Sequence, residues 1–157
     1  YYILEVRFKR STPKKIERWV RATAAQDHEQ YGNVRQEWEE EPAFGGQFVS
    51  DYFSDMLSQY TRAAYRPQGG KEFYVDLLAN KAETGNVYCL EGSWLYHRYD
   101  GFNTFFDQVE EWPNGNHDDG LDAAAKAVYR VDMIGKGKAH ATKSKVQTER
   151  EYEAELF

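Results

Sequence analysis

The chain has a single cysteine, Cys89, among 157 residues, so no internal disulfide can form and no cysteine-based zinc site fits. Cys89 reads either as a small buried hydrophobe in a strand or as a nucleophile. No run of about 20 apolar residues occurs, and no transmembrane helix is expected. The opening Tyr1-Tyr2-Ile3-Leu4-Glu5-Val6-Arg7 lacks a signal-peptide layout and an initiator Met, which fits a non-secreted chain cut from a longer one. Positive charge is also scarce: 20 Lys and Arg stand against 26 Asp and Glu, a net charge of −6. That argues against a protein whose main task is to hold nucleic acid. It does not argue against a nuclease, because acidic metal ligands add negative charge that a bound divalent ion reverses locally. No P-loop is present, since Gly69-Gly70-Lys71 lacks the earlier glycine and the following Ser or Thr.

What is present points to a packed domain. Aromatic residues make up 16% of the chain, and at this length folding hides about 70% of the surface that an unfolded chain exposes. Tyr2 to Phe8 alternates and reads as a strand. Thr12-Pro13 starts a helix, with Thr12 as cap, carried to about residue 27 by Ile16, Trp19, Val20 and Thr23. Gly32-Asn33 breaks the chain, Val34 to Glu40 suits a short strand, and Pro42 to Gly46 is a loop. Phe48, Val49, Tyr52, Phe53, Met56, Leu57 and Tyr60 form a helical stripe read as core. Ala63 to Arg66 is a short strand. Phe73, Leu77, Leu78 and Lys81 mark another helix, ended by Gly85-Asn86. Val87 to Leu90 is a buried strand. Phe102, Phe105, Phe106 and Val109 form a further helix, stopped at Trp112-Pro113. Residues 119 to 131 are the last helix, with Leu121, Ala124, Ala125 and Val128 inward. Strands alternating with helices imply an α/β domain around a mainly parallel sheet. Residues 135–157 read as an exposed tail, basic at Lys136, Lys138, Lys143 and Lys145.

Two acidic constellations carry possible chemistry. In Asn116-His117-Asp118-Asp119-Gly120-Leu121-Asp122, a loop delivers three acids to a helix start. The dipole favours them there, and one of them can simply be the cap. Three within five residues repel unless something positive sits between them. Hard oxygens on one helix face suit Mg²⁺ or Mn²⁺. In Glu37-x-Glu39-Glu40-Glu41-Pro42, alternate residues of a strand share a face, or the stretch is a solvated acidic loop. Sites in open α/β sheets gather at the carboxyl ends of strands. Two such clusters meeting there hold two divalent ions about 3.5–4 Å apart, an arrangement suited to phosphodiester hydrolysis.

Over residues 1 to 131 the ordered landmarks resemble the C-terminal nuclease of phage terminase large subunits, an RNase H-like domain. The strand-ending motif is Glu39-Glu40-Glu41-Pro42-Ala43-Phe44-Gly45-Gly46. A Lys-led helix begins at Lys71, then come Gly85-Asn86-Val87-Tyr88, Trp94, and Trp112-Pro113-Asn114-Gly115-Asn116-His117-Asp118-Asp119-Gly120-Leu121-Asp122-Ala123. The resemblance implies an RNase H-like mixed sheet flanked by helices over residues 1–134, lacking its first strand and the Asp that strand carries. It implies cleavage of concatemeric double-stranded DNA with two Mg²⁺ or Mn²⁺ ions in the cytoplasm of an infected bacterium. The partners would be an upstream packaging ATPase domain, the portal and the small terminase subunit. Glu39, Asp119 and Asp122 take catalytic positions and, with Asp118 as the alternative, ligate metal, while Glu41 supports them. The sequence departs from the pattern at Ala43, where Gly is usual, and at Tyr74-Val75, where an Arg is often found.

Other residues keep two readings. His117 orients a ligand or relays a proton, or is a loop hydrogen-bonder. Lys71, Arg66 and Lys81, with Arg62, contact the DNA backbone or serve solubility. Beside the nuclease stand two alternatives: a non-catalytic docking module of the packaging complex, and a resolvase-like nuclease.

Overall fold

A computed structural model describes residues 1–42, 44–90 and 104–135. Its elements run β1 (Tyr2–Ile3), α1 (Pro13–Tyr31), β2 (Gln36–Glu39), α2 (Phe44–Met56), β3 (Arg62–Tyr65), α3 (Lys71–Glu83), β4 (Tyr88–Cys89) and α4 (Phe105–Glu111). A fifth helix, α5, follows over 119–135. The chain is therefore mixed α/β, and both strand pairings are parallel. Among the described residues the strands form two sheets of two strands each, β1 with β4 and β2 with β3. They lie in two compact units, Lys9–Gly70 and Tyr1–Phe8 with Lys71–Phe157. Ala43, Trp94, Phe102 and the basic tail lie outside the described residues.

In the Lys9–Gly70 unit, Pro13 opens α1, where a missing N–H costs nothing. Thr12 occupies the cap position, but its side chain makes no capping bond. Its carbonyl accepts from Lys15 and Ile16 instead. Gly32, at φ 80°, closes the helix by donating to the His28 carbonyl at 2.9 Å. β2 and β3 pair from Gln36↔Arg62 to Glu39↔Tyr65, with α2 as the crossover. The α2 helix starts inside the stretch expected to be a loop, and the stripe read as core splits in two. Met56 and Leu57 are buried, whereas Phe48, Val49 and Tyr52 are exposed. The inward face of α2 carries small residues: Ser50 is buried and its Oγ accepts from Trp38 Nε1 at 3.1 Å. A Cβ on Gly46 would lie 2.8 Å from the Glu41 carbonyl carbon, so the helix start abuts the strand exit there. Ala24, Met56 and Leu57 form the core, with Val20, Trp38, Phe53 and Tyr60 around it.

In the other unit, the strand expected over Tyr2 to Phe8 is only Tyr2–Ile3, because β4 offers just Tyr88 and Cys89 as partners. The helix α3 ends where the sequence says it should. Gly85, at φ 71°, donates to Ala82 and Asn86 donates to Lys81, each at 2.9 Å, a Schellman motif. Tyr74, Val75 and Leu78 of α3 meet Leu121, Ala124, Ala125 and Val128 of α5, with Phe105 of α4, in one core. The inward positions expected of α5 are thus the observed ones. Tyr74 and Val75, where the terminase pattern often has an Arg, are buried core residues.

Candidate metal centre

The site begins with the way α5 is capped. The helix α4 opens with a reciprocal box: Thr104 Oγ1 accepts from Asp107 N at 3.0 Å, and Thr104 N donates to Asp107 Oδ2 at 2.8 Å. One turn on, Gln108 is 1% exposed. Its Oε1 accepts from the backbone of Gly120 at 2.8 Å and Leu121 at 3.2 Å. These are the second and third donors of α5, those that a capping Asp would otherwise take. A Cβ on Gly120 would lie 2.9 Å from Phe8 Cε1 and 3.1 Å from Gln108 Oε1. The glycine is what lets ring, amide and helix end meet.

Asp118 stands at the cap position, its carbonyl accepting from Asp122 N at 2.9 Å. With Gln108 supplying the cap, the Asp118 carboxylate is released from that duty. Its Oδ1 accepts from Lys71 Nζ at 2.6 Å. One turn along, Asp122 Oδ2 accepts from Lys126 Nζ at 2.9 Å. The latter pair is well enclosed, with side chains 13% and 17% exposed. The other oxygen, Asp122 Oδ1, is buried without a hydrogen-bond partner. Two carboxylates and two ammonium groups thus alternate over the start of α5, the positive charge that three close acids require.

Lys71 is the first residue of α3. A cation at a helix N-terminus is disfavoured by about 0.3–1 kcal/mol, so its own helix does not account for its placement. The Asp118 carboxylate does. Asp119 and His117 are exposed beside this pair.

The other acidic cluster belongs to the Lys9–Gly70 unit. Glu39 is exposed at the carboxyl end of β2, beside Tyr65 at the end of β3. Glu41 does not share its face along the strand, as the spacing suggested, because β2 ends at Glu39. Arg66 is held by Glu40, its Nε at 3.0 Å. Lys81 binds Asp132 at 2.8 Å and lies 4.7 Å from the centre of the Tyr1 ring. Lys71, Arg66 and Lys81, read as DNA contacts, thus all have acidic partners within their own units. Burial pushes the Cys89 thiol up, which disfavours the thiolate a nucleophile needs.

Within neither unit do three His, Cys, Asp or Glu side chains gather into a ready metal cluster among the described residues. The donor chemistry of Asp118 and Asp122 nevertheless fits a hard divalent cation: carboxylate oxygens one helical turn apart, one of them buried and unsatisfied. Sequence reasoning missed Gln108 and Lys126. Gln108 had a legible signal, a polar residue three positions after Phe105 on an apolar helix face. Lys126 had another, its i,i+4 spacing from Asp122. No family model, curated protein or solved structure matches this chain.

Proposed function

We propose that the chain is an RNase H-like, metal-dependent endonuclease domain, similar to the nuclease of phage terminase large subunits. It cuts concatemeric double-stranded DNA during genome packaging, alongside an ATPase domain, a portal and a small terminase subunit. One observation carries the reading: Asp118 and Asp122 are not consumed in capping α5, because Gln108 does that work. Two carboxylates stand on one helix end, each facing a lysine, and neither is taken up by the backbone donors of that end. The order of landmarks from Glu39 to Asp122 supports the same family.

In this reading Asp118 and Asp122 hold Mg²⁺ or Mn²⁺ and Asp119 lies beside them, while a ligand role for Glu39 rests on the resemblance alone. A bound divalent ion supplies charge neutralisation and an acidified water for phosphodiester hydrolysis. Gln108 fixes the angle at which the acids leave the loop. Lys126 orients the Asp122 carboxylate by donating to its Oδ2. The test is nicking of supercoiled plasmid by the chain in MnCl₂. Cutting is expected, with loss in EDTA and in Asp122→Asn. Undiminished cutting by Asp122→Asn would overturn the site.

A non-catalytic docking module is the second reading, favoured by the neutralised state of both acids. It expects no cutting under any metal, together with retained binding to a packaging partner.

A further inference from the structure

The pair Lys71–Asp118 differs in character from Lys126–Asp122. Its side chains are 35% and 29% exposed, about twice the exposure of the second pair. It joins two helices, α3 and α5, rather than two turns of one. Lys71 sits at the positive end of its helix, where the local field opposes an ammonium. Its partner sits at the positive end of another, where the field favours a carboxylate. The helix fields therefore favour the carboxylate where it stands and disfavour the ammonium where it stands.

We propose that Lys71 is an exchangeable counter-ion. It covers Asp118 Oδ1 until a divalent cation takes that carboxylate, and the ammonium then turns to solvent on its flexible stem. This rests on the metal reading of the Asp118–Asp122 site and adds its regulation: affinity for the cation is set below what the acids alone would give. Occupancy then follows the supply of divalent ions or of a phosphate that draws Lys71 away. Removing the competing ammonium raises affinity, because a divalent ion no longer displaces an internal partner.

The experiment is calorimetric titration of the whole chain with MnCl₂, in the native sequence, Lys71→Met, Asp118→Asn and the double variant. Lys71→Gln is a second neutral replacement, and circular dichroism reports folding in each. Tightening by about fivefold is expected for Lys71→Met and Lys71→Gln, as for a part-exposed ion pair. The gain should vanish in the Asp118→Asn background, since the two residues act as one unit. Unchanged or weaker binding in both folded Lys71 variants overturns the inference and leaves the metal site standing. A gain that persists with Asp118→Asn also overturns it, as a general charge effect. Absence of Mn²⁺ binding in every chain overturns the inference and the metal site together.

Discussion

Gln108 shows how much one side chain settles. Its oxygen caps α5, its helix brings it there, and Gly120 leaves the space it needs. Gln108→Leu keeps the volume and removes the acceptor, stranding two backbone donors in a buried place. A loss of about 1–3 kcal/mol is expected, read from urea denaturation. Gly120→Ala forces a methyl group against Phe8 and Gln108, at a cost of about 1–3 kcal/mol. Introducing Phe8→Leu into that variant is expected to recover part of the loss. No recovery would place the strain elsewhere. Gly85→Ala has a different origin. Nothing surrounds a Cβ there, so its cost of about 1 kcal/mol is purely that of the positive φ. A change at Phe8 should leave it untouched.

At the scale of elements, α1 and α2 are joined by the Tyr52 hydroxyl, which donates to the Glu17 carboxylate. This bond, with Arg21 next in effect, holds the Glu17 carboxyl below its usual range, and it pushes the Tyr52 hydroxyl up. A lowered carboxyl contributes stability above its unfolded value and loses it as pH falls through the folded one. A raised tyrosine contributes fully below its unfolded value and loses it as pH rises through the folded one. The melting temperatures of the native chain and Tyr52→Phe should therefore differ most near neutral pH. They should converge in acid and again in strong alkali. A difference constant across pH would show that the hydroxyl bond is not its source. Both side chains are exposed enough that the effect is small.

The whole molecule divides its stability unevenly. The α3–α5 core contains Tyr74, Val75, Leu78, Leu121, Ala125 and Val128, whereas the Lys9–Gly70 unit buries Ala24, Met56 and Leu57. Opening free energy follows buried apolar contact. Amides of Ala124, Ala125 and Val128 should exchange with deuterium more slowly than those of residues 20–24, and the reverse order would refute this ranking. If the site holds a divalent ion, Mn²⁺ at a hundredfold excess over Kd adds about 2.7 kcal/mol to the folded state. The melting point should then rise with MnCl₂ in the native chain and not in Asp122→Asn. No described helix is long and apolar enough to cross a membrane.

The sequence by itself determined where α1 starts and where α1 and α3 stop. Pro13, Gly32 and Gly85 act through local backbone geometry, which needs no tertiary partner, and the inward face of α5 follows from a period of 3.6. It also marked the acids at 118 to 122 as too many for a cap. Only the tertiary structure decided which of them are engaged. The capping donors go to Gln108, a residue ten positions before Asp118. Asp118 goes to Lys71, 47 positions away. The inward face of α2 was likewise misjudged, because hydrophobicity marks what can be buried, while close approach of Gly46 and Ser50 to the β2 segment set what is. A spacing rule sees partners within a turn or two. Lys126 lies within such reach of Asp122, but Gln108 and Lys71 come to the start of α5 only through the packing of α4 and α3.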